Sequence, residues 1–161
     1  MEKDTLEKFA EKIKTKSELD RYLEQIEEAS RWVYKGGEVP LSEKIKQNVG
    51  EEFRQIVKEL EGSGGIPSAR RAQSDFFKKL AKTLESLPVV KLTLAFLPSE
   101  EFLEKLTGWL GEQIGKMAVV DINVREEVIG GATFEYKGEY RDYSLGAKLD
   151  GVLNSEVRKL I

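Results

Sequence analysis

The 161-residue chain contains neither histidine nor cysteine, so it lacks the side chains on which most familiar enzyme sites depend. Serine and threonine nucleophiles usually need a nearby base, most often histidine, and zinc sites depend on histidine or cysteine ligands. Carboxylates remain, and they can act as acids and bases or hold Mg²⁺ through their oxygens. The composition therefore argues against most hydrolytic machinery and leaves carboxylate, lysine and tyrosine chemistry open.

One stretch, GWLGEQIGKM at residues 108–117, partly resembles a phosphate-binding loop. Only three residues separate Gly111 from Gly115, where the motif has four, and Met117 stands where the motif has a magnesium-binding hydroxyl. A helical pattern, rather than a strand, precedes the glycines. We therefore expect no nucleotide site here.

Adjacent charged side chains are the remaining candidate ligands. The glutamate pairs at residues 100–101 and 126–127 could bind a metal ion, but acids at a helix start are explained by the helix dipole. The arginine pair at residues 70–71 could meet a phosphate or a carboxylate, although such a pair is usually a solvated face. We predict no catalytic residue, no cofactor and no metal site.

The charge pattern also limits the possible partners. The net charge is −3, and basic and acidic side chains are finely mixed, so no basic field for nucleic acid is expected. The longest apolar runs, such as LPVVKLTLAFLP at residues 87–98, fall far short of the ~20 residues that cross a bilayer. We expect a soluble protein that contacts neither nucleic acid nor, directly, a membrane.

Residues 1–87 have the spacing of amphipathic helices, with apolar side chains recurring at every third or fourth position. We expect Ser17, with Asp20 three residues later, to cap the second helix. Gly62 should end the third helix by taking left-handed backbone angles, and Ser68 should cap the fourth. The helices are predicted at residues 6–13, 17–33, 40–60 and 68–87, and the fourth is predicted to bury Ala69, Ala72, Phe76, Leu80, Leu84 and Leu87.

Beyond Pro88 the apolar period changes to two, which is typical of strands. The predicted order is a strand at residues 89–96, a helix from residues 98–101 to Met117, a strand at 117–124, a hairpin turning at Lys137-Gly138, and a last helix capped by Ser144. The fold class is therefore α+β: an N-terminal helical bundle of about four helices, followed by a small mixed β-sheet packed with two helices. We place the domain boundary between residues 87 and 88.

Two glycines, one aspartate and two tryptophans are expected to have structural rather than catalytic roles. Gly130-Gly131 precedes an alternating strand, which indicates a bulge or a close backbone crossing. Asp142 is expected to accept backbone N–H groups at the entry to the last helix. Trp32 and Trp109 are expected to pack within their helices, although an exposed tryptophan would be an interface anchor.

With these residues in view, the chain from residue 89 to residue 153 resembles the C-terminal part of the delta subunit of F-type ATP synthases, the bacterial counterpart of the oligomycin-sensitivity-conferring protein. The matching segments are the valine-rich strand at 89–95, the acidic helix start at 98–101, VIGG at 128–131 and DYSLGAKLDGVL at 142–153. The structural motif consists of Gly130, Gly131, Asp142, Ser144 and Leu149, which fall at the family's mutual spacing.

The resemblance also has departures. The family's Asp-Pro pair is replaced by Arg125-Glu126, its glycine by Tyr143 and its arginine by Gly146. The N-terminal half is shorter than the six-helix bundle of such subunits.

The resemblance implies a stator subunit that does no chemistry itself and supports proton-driven ATP synthesis. Residues 1–87 would bind the N-terminal ends of the ATP synthase alpha subunits, and residues 88–161 would bind the b-type stalk helices through apolar anchors lying in a groove, with charges at its rim. The protein would lie at the cytoplasmic face of the bacterial plasma membrane, held there only through the complex. The alternatives are a small magnesium-dependent enzyme acting on a phosphorylated ligand and a free-standing α/β adaptor domain.

Overall fold

A computed structural model describes residues 5, 8–9, 12–115, 117–126 and 130–145. The chain divides into two compact units, Met1–Leu87 and Pro88–Ile161. Among the described residues, four helices belong to the first unit, and a fifth helix and a four-stranded mixed sheet belong to the second. The predicted α+β fold class is confirmed. The first-unit helices are α1 Lys16–Trp32, α2 Leu41–Lys44, α3 Glu51–Gly62 and α4 Arg70–Glu85.

A complete capping box starts α1, but two residues earlier than the sequence pattern predicts. The N-cap is Thr15, whose hydroxyl accepts from the Glu18 N–H at 3.3 Å, while the Glu18 carboxylate accepts from the Thr15 N–H at 2.9 Å. The prediction of Ser17 as the cap was wrong: Ser17 is the second residue of the helix, and Asp20 pairs with Lys16. The side chains of Thr15 and Glu18 thus each satisfy the backbone N–H of the other residue, which is the reciprocal pattern of a capping box.

The predicted single helix over residues 40–60 is interrupted, since α2 ends at Lys44 and α3 starts only at Glu51. Gly50 is the N-cap of α3 in extended backbone, and its N–H donates to the Gln25 side chain of α1 at 2.7 Å. A second long-range contact fixes α2, because the Glu61 carboxylate accepts from the N–H groups of Leu41 and Ser42 at 2.6 and 3.2 Å. Contacts between distant residues therefore override the continuous apolar pattern.

The segment between α3 and α4 also departs from two predictions. Gly62 is the last residue of α3, and the left-handed backbone angle falls at Gly64, with φ +75°. The N-cap of α4 is Ala69 rather than Ser68, and it makes no side-chain capping hydrogen bond. The chain thus ends α3 two residues later than expected and enters α4 one residue later.

The buried face of α4 is rotated relative to the prediction. Phe77 is 1% exposed and, together with Leu80 and Leu84, lies in the core. The prediction of Phe76 in this position was wrong: Phe76 is half-buried, and its ring packs edge-on against Phe77 with centroids 5.3 Å apart. Two adjacent phenylalanines leave the sequence pattern ambiguous, and the packing against α1 decides between them.

An aromatic cluster lies in the hydrophobic core of the helical unit. The rings of Phe9, Tyr22 and Phe53 pack with all three centroid distances at 6.0 Å, and each residue is almost fully buried. Tyr22 lies on α1 and Phe53 on α3. This cluster joins α1 to α3, and Phe77 is buried where α4 meets α1.

In the described part of the second unit, the elements are one crossover helix and four strands. The elements are β1 Val89–Leu94, α5 Glu100–Ile114, β2 Val119–Val124, β3 Ala132–Tyr136 and β4 Glu139–Asp142. The sheet order is β2-β1-β3-β4, with β1 parallel to β2 and the other pairs antiparallel. The predicted hairpin turn is confirmed, since Lys137 and Gly138 both have positive φ, +52° and +80°, as a tight hairpin requires.

One face of this sheet is apolar and packs against α5. The core cluster consists of Val90 and Val120 from the sheet with Leu110 and Ala118, and partly buried side chains of α5 and β3 surround it. β1 ends at Leu94, two residues earlier than predicted, and Phe96 is 48% exposed because the chain there bends towards the Ser99 cap of α5. In the part of the chain that the structure describes, no helix has the length and apolarity needed to cross a membrane.

Candidate functional site

The glycine pair lies where two backbone segments of the second unit pass in close contact. Tyr143 N donates to Ala132 O, and Leu145 N donates to Gly130 O, both at 2.9 Å, so pairing of the hairpin continues beyond β4. Gly131 has φ +93°, and a Cβ there would lie 2.5 Å from Tyr143 O. A side chain at this position would collide with backbone, so the crossing requires glycine.

Asp142 fixes the other side of this crossing. Its Oδ1 accepts from the Ser144 N–H at 2.8 Å, and Ser144 is buried. Hydrogen bonds from the side chain and then the backbone N–H of Ser144 hold the pKa of Asp142 below its usual value. The structure thus brings together Gly131, Asp142 and Ser144, while Leu149 and the predicted last helix lie outside the described residues.

The lowered pKa of Asp142 predicts that the stability of the protein depends on pH. Because the folded-state pKa of Asp142 is lowered, its contribution to stability is present above the ordinary carboxyl pKa and is lost as the pH falls through the lowered value. We expect Asp142→Ala to melt at a lower temperature than wild type at pH 7 and the difference to shrink on acidification. Melting curves of both proteins from pH 7 to pH 2 measure it, and a difference independent of pH would contradict the assignment.

A groove opens between α5 and the β3–β4 hairpin, with a volume of about 850 Å³. At its mouth Trp109 is 53% exposed and Tyr143 is 55% exposed. The expectation that Trp109 packs within its helix was therefore wrong, whereas Trp32 is half-buried and donates from its indole to Glu28 at 2.8 Å. The groove is lined by Val90, Trp109, Leu110, Gln113, Ile114, Phe134, Tyr136, Lys137, Glu139, Arg141 and Tyr143.

The first unit has a groove of its own between α1 and α4, with a volume of about 680 Å³. Its apolar floor includes Leu23, Ile26, Phe77 and Ala81. Four carboxylates and one lysine surround this floor, so the groove favours a basic partner. The charged lining residues are Asp20, Glu24, Glu27, Glu85 and Lys78.

The charged pairs singled out in the sequence do not converge on a common site. Glu101 lies in the first turn of α5 and pairs with Lys105 at 2.6 Å, and Arg70 donates to Gly37 O at 3.3 Å. Gly115 is the C-cap of α5, whereas a phosphate loop places its glycines before a helix. Within the described ranges, no three His, Cys, Asp or Glu side chains are grouped so that they could hold a metal ion.

The overall match of the chain decides its family. The model of the ATP synthase delta (OSCP) subunit family matches residues 2–155. The chain belongs to the ATP synthase delta (OSCP) subunit family. The resemblance predicted for residues 89–153 is confirmed, and the match to the delta (OSCP) family extends through the helical unit. No curated protein matches the chain significantly.

Membership of the delta (OSCP) family has several direct consequences. The protein is a peripheral-stalk subunit of an F-type ATP synthase, from a family of structural stator subunits. It associates with other ATP synthase subunits in a membrane-associated complex. The two grooves of this delta-family chain are thus candidate protein-binding surfaces.

A groove in residues 88–161 is predicted from the sequence without residues assigned to it, whereas the groove of the helical unit is not predicted. The acidic groove had a detectable signal, because residues 20, 24 and 27 recur at helical spacing and therefore share one face of α1 beside Leu23 and Ile26. For the groove beside α5, the sequence offered only Trp109 as a signal. The other wall of that groove is formed by a hairpin more than 20 residues away, so no spacing within α5 reveals it.

Proposed function

We propose that the protein links the catalytic head of the ATP synthase to its b-type stalk and resists torque without doing chemistry. The observation that supports this most directly is that each compact unit has its own groove with a partly apolar lining, one acidic and one with an exposed tryptophan. A linker needs two separate binding surfaces. It would act at the cytoplasmic face of the bacterial plasma membrane and support proton-driven ATP synthesis.

The helical unit would bind the N-terminal ends of the alpha subunits in the groove between α1 and α4. Leu23 and Ala81, which are half-buried, offer apolar contacts along the floor, and the surrounding carboxylates select a segment that carries basic residues. An amphipathic helix meets both requirements, because one of its faces is apolar and its flanks are charged.

The second unit would bind the b-type stalk helices. Its hairpin is held by the Gly131 crossing and by the Asp142–Ser144 hydrogen bond, so the binding face is kept in one shape. A preorganised surface loses less conformational entropy on binding than a mobile one. The same rigidity suits a component that transmits load between partners.

Charge reversal in the acidic groove tests the head-binding half of the proposal. We expect Glu24→Lys in the full chain to weaken binding to a peptide of the alpha-subunit N-terminal end about tenfold, which corresponds to about 1.4 kcal/mol, because a carboxylate facing a basic partner is replaced by a like charge. Calorimetric titration measures the affinity. Binding to the stalk helices should not change.

Glu38→Lys is the matched control, since it makes the same charge change at an exposed loop position outside this groove. Equal weakening by both variants would contradict a site in the groove. Marked thermal stabilisation of the wild-type protein by Mg²⁺ or a nucleotide would instead support the enzyme alternative, since a specific ligand at 100 times its Kd stabilises by about 2.7 kcal/mol.

A further inference from the structure

We propose that the outer edge of β2 is a self-association surface, at which two copies of the free chain pair antiparallel around Asn123 and join their sheets. The partner is a second copy of this chain and not another subunit, so this contact is separate from the linking function. Three properties of the edge support the pairing: unpaired backbone groups, a charge order that is complementary to itself, and apolar side chains on the opposite face.

The backbone of β2 is open to pairing on one side. Among the described residues the sheet ends at β2, because the strand order is β2-β1-β3-β4. The N–H groups of Val119 and Arg125 donate to carbonyls at the two ends of residues 88–94, at 3.0 and 2.9 Å. Backbone groups alternate in direction along a strand, so Ile122 and Val124 direct their N–H and C=O groups to the outer edge. Such a row is a template for a further strand.

The charge order along β2 favours one register for a second copy. When two antiparallel copies meet at a twofold axis through Asn123, Ile122 of each copy exchanges two hydrogen bonds with Val124 of the other. Asp121 then lies directly opposite Arg125 of the other copy, in a pair without backbone hydrogen bonds, where side chains approach most closely. The twofold symmetry forms this ion pair twice.

Both charges are available for this contact. Asp121, Asn123 and Arg125 are exposed and alternate along the strand, so they share one face of the sheet. Lys91 lies beside Asp121 on β1, but its ammonium pairs with Glu135 at 3.1 Å. No ion pair of Asp121 or Arg125 forms within the part of the chain that the structure describes.

Neighbouring registers lose the charge complementarity. A twofold axis through Asp121 sets two carboxylates directly opposite each other, which is destabilising. An axis through Ile122 sets Asp121 opposite Asn123, and an axis through Val124 sets Arg125 opposite Asn123. Of these four axes, the one through Asn123 gives two ion pairs.

The other face of β2 supports the same register. Val124 is 41% exposed, and Ile122 is half-buried against the core cluster of the second unit. Around Asn123 each of them lies opposite the other, so the apolar face continues from one sheet into the next, and β-branched cross-strand pairs stabilise a sheet. The contact is short, so we expect a weak dimer with a Kd on the order of 100 µM.

The opposite edge of the sheet is less suited to pairing. β4 has four residues, all of them exposed. Its Glu139 lies 3.6 Å from Arg141 on the same strand, so these charges already meet within one copy. β4 therefore provides matched control positions.

Sedimentation equilibrium of the full chain, from about 10 to about 500 µM, brackets the expected Kd. We expect Asp121→Lys to weaken dimerisation at least about tenfold, because both ion pairs become contacts between like charges. Adding Arg125→Asp should restore the affinity, since the two charges are then exchanged. Glu139→Lys makes the same charge change on β4 and should leave the affinity unchanged.

A cysteine scan reads the register directly, because the chain has no cysteine of its own. Asn123→Cys sets two thiols opposite each other with Cα atoms about 4.5 Å apart, within the range of a disulfide. Mild oxidation should therefore give a covalent dimer. Tyr140→Cys, at an exposed position on β4, should stay monomeric.

A wild-type chain that stays monomeric up to about 500 µM would overturn the inference, with residues 146–161 or another segment as the cover of this edge, and would leave the proposed linking function standing. Equal weakening by Asp121→Lys and Glu139→Lys would place self-association elsewhere and would also overturn it. So would a double variant that does not recover, or equal cross-linking through Cys at positions 123 and 140.

Discussion

Replacing Gly131 with alanine is expected to lower the free energy of unfolding by about 2–5 kcal/mol, combining backbone strain with overpacking. Gly131 has φ +93°, outside the range that alanine adopts easily. The added Cβ would lie 2.5 Å from Tyr143 O and 2.9 Å from Ser144 Cα, both backbone atoms that cannot rotate away. Relief of this collision would require breaking the Tyr143–Ala132 hydrogen bond.

Gly138→Ala is the matched control for strain without collision. Gly138 has φ +80°, but a Cβ there would meet no atom within 4 Å, so we expect a cost of only about 1–2 kcal/mol. Urea unfolding followed by circular dichroism compares the two variants. Equal losses would show that the backbone crossing at Gly131 contributes nothing beyond its torsion angle.

Phe77→Ala should destabilise the helical unit by about 3–5 kcal/mol, the usual cost of removing a buried phenylalanine. Phe77 is almost fully buried between α4 and α1, so the truncation leaves a cavity that the neighbouring side chains can fill only in part. Phe76→Ala should cost about 1 kcal/mol, because that ring is half-buried.

The pair of variants distinguishes two orientations of α4. The sequence pattern predicts Phe76 in the core, and the structure places Phe77 there. Thermal or urea unfolding of the two single variants gives the answer directly. A larger loss for Phe76→Ala than for Phe77→Ala would mean that α4 buries the face predicted from sequence.

Features set by local chemistry could be predicted from the sequence. The change of apolar period at Pro88 separates the helices from the strands, and Lys137-Gly138 supplies the positive φ angles of a tight hairpin turn. Ser99 accepts from the Phe102 N–H at the start of α5, as expected for a serine before two glutamates. Asp142 likewise binds a backbone N–H only two residues away.

Features set by distant contacts could not be predicted in this way. The break between α2 and α3 depends on Gln25 and Glu61, which bind backbone groups 25 and 20 residues away. The choice between Phe76 and Phe77 depends on which side of α4 meets α1. The two grooves are formed by elements that are far apart in sequence, so periodicity within one element does not reveal them.

The candidate site also contains some residues that could be predicted from local sequence and others that depend on distant contacts. Gly130, Gly131, Asp142 and Ser144 could be chosen from their spacing and their residue types, and the structure places them around one backbone crossing. The role of this motif in stalk binding stays a prediction. Trp109 could not be assigned from its helical position, because its exposure depends on how far the hairpin extends beside α5.

The most direct test of the linking function is assembly of a three-part complex from purified catalytic head, b-type stalk helices and the full chain. In analytical ultracentrifugation, we expect head and stalk to sediment together only when the chain is present, and we expect Glu24→Lys to reduce the amount of this complex. A chain that binds head or stalk alone but never joins them would contradict it.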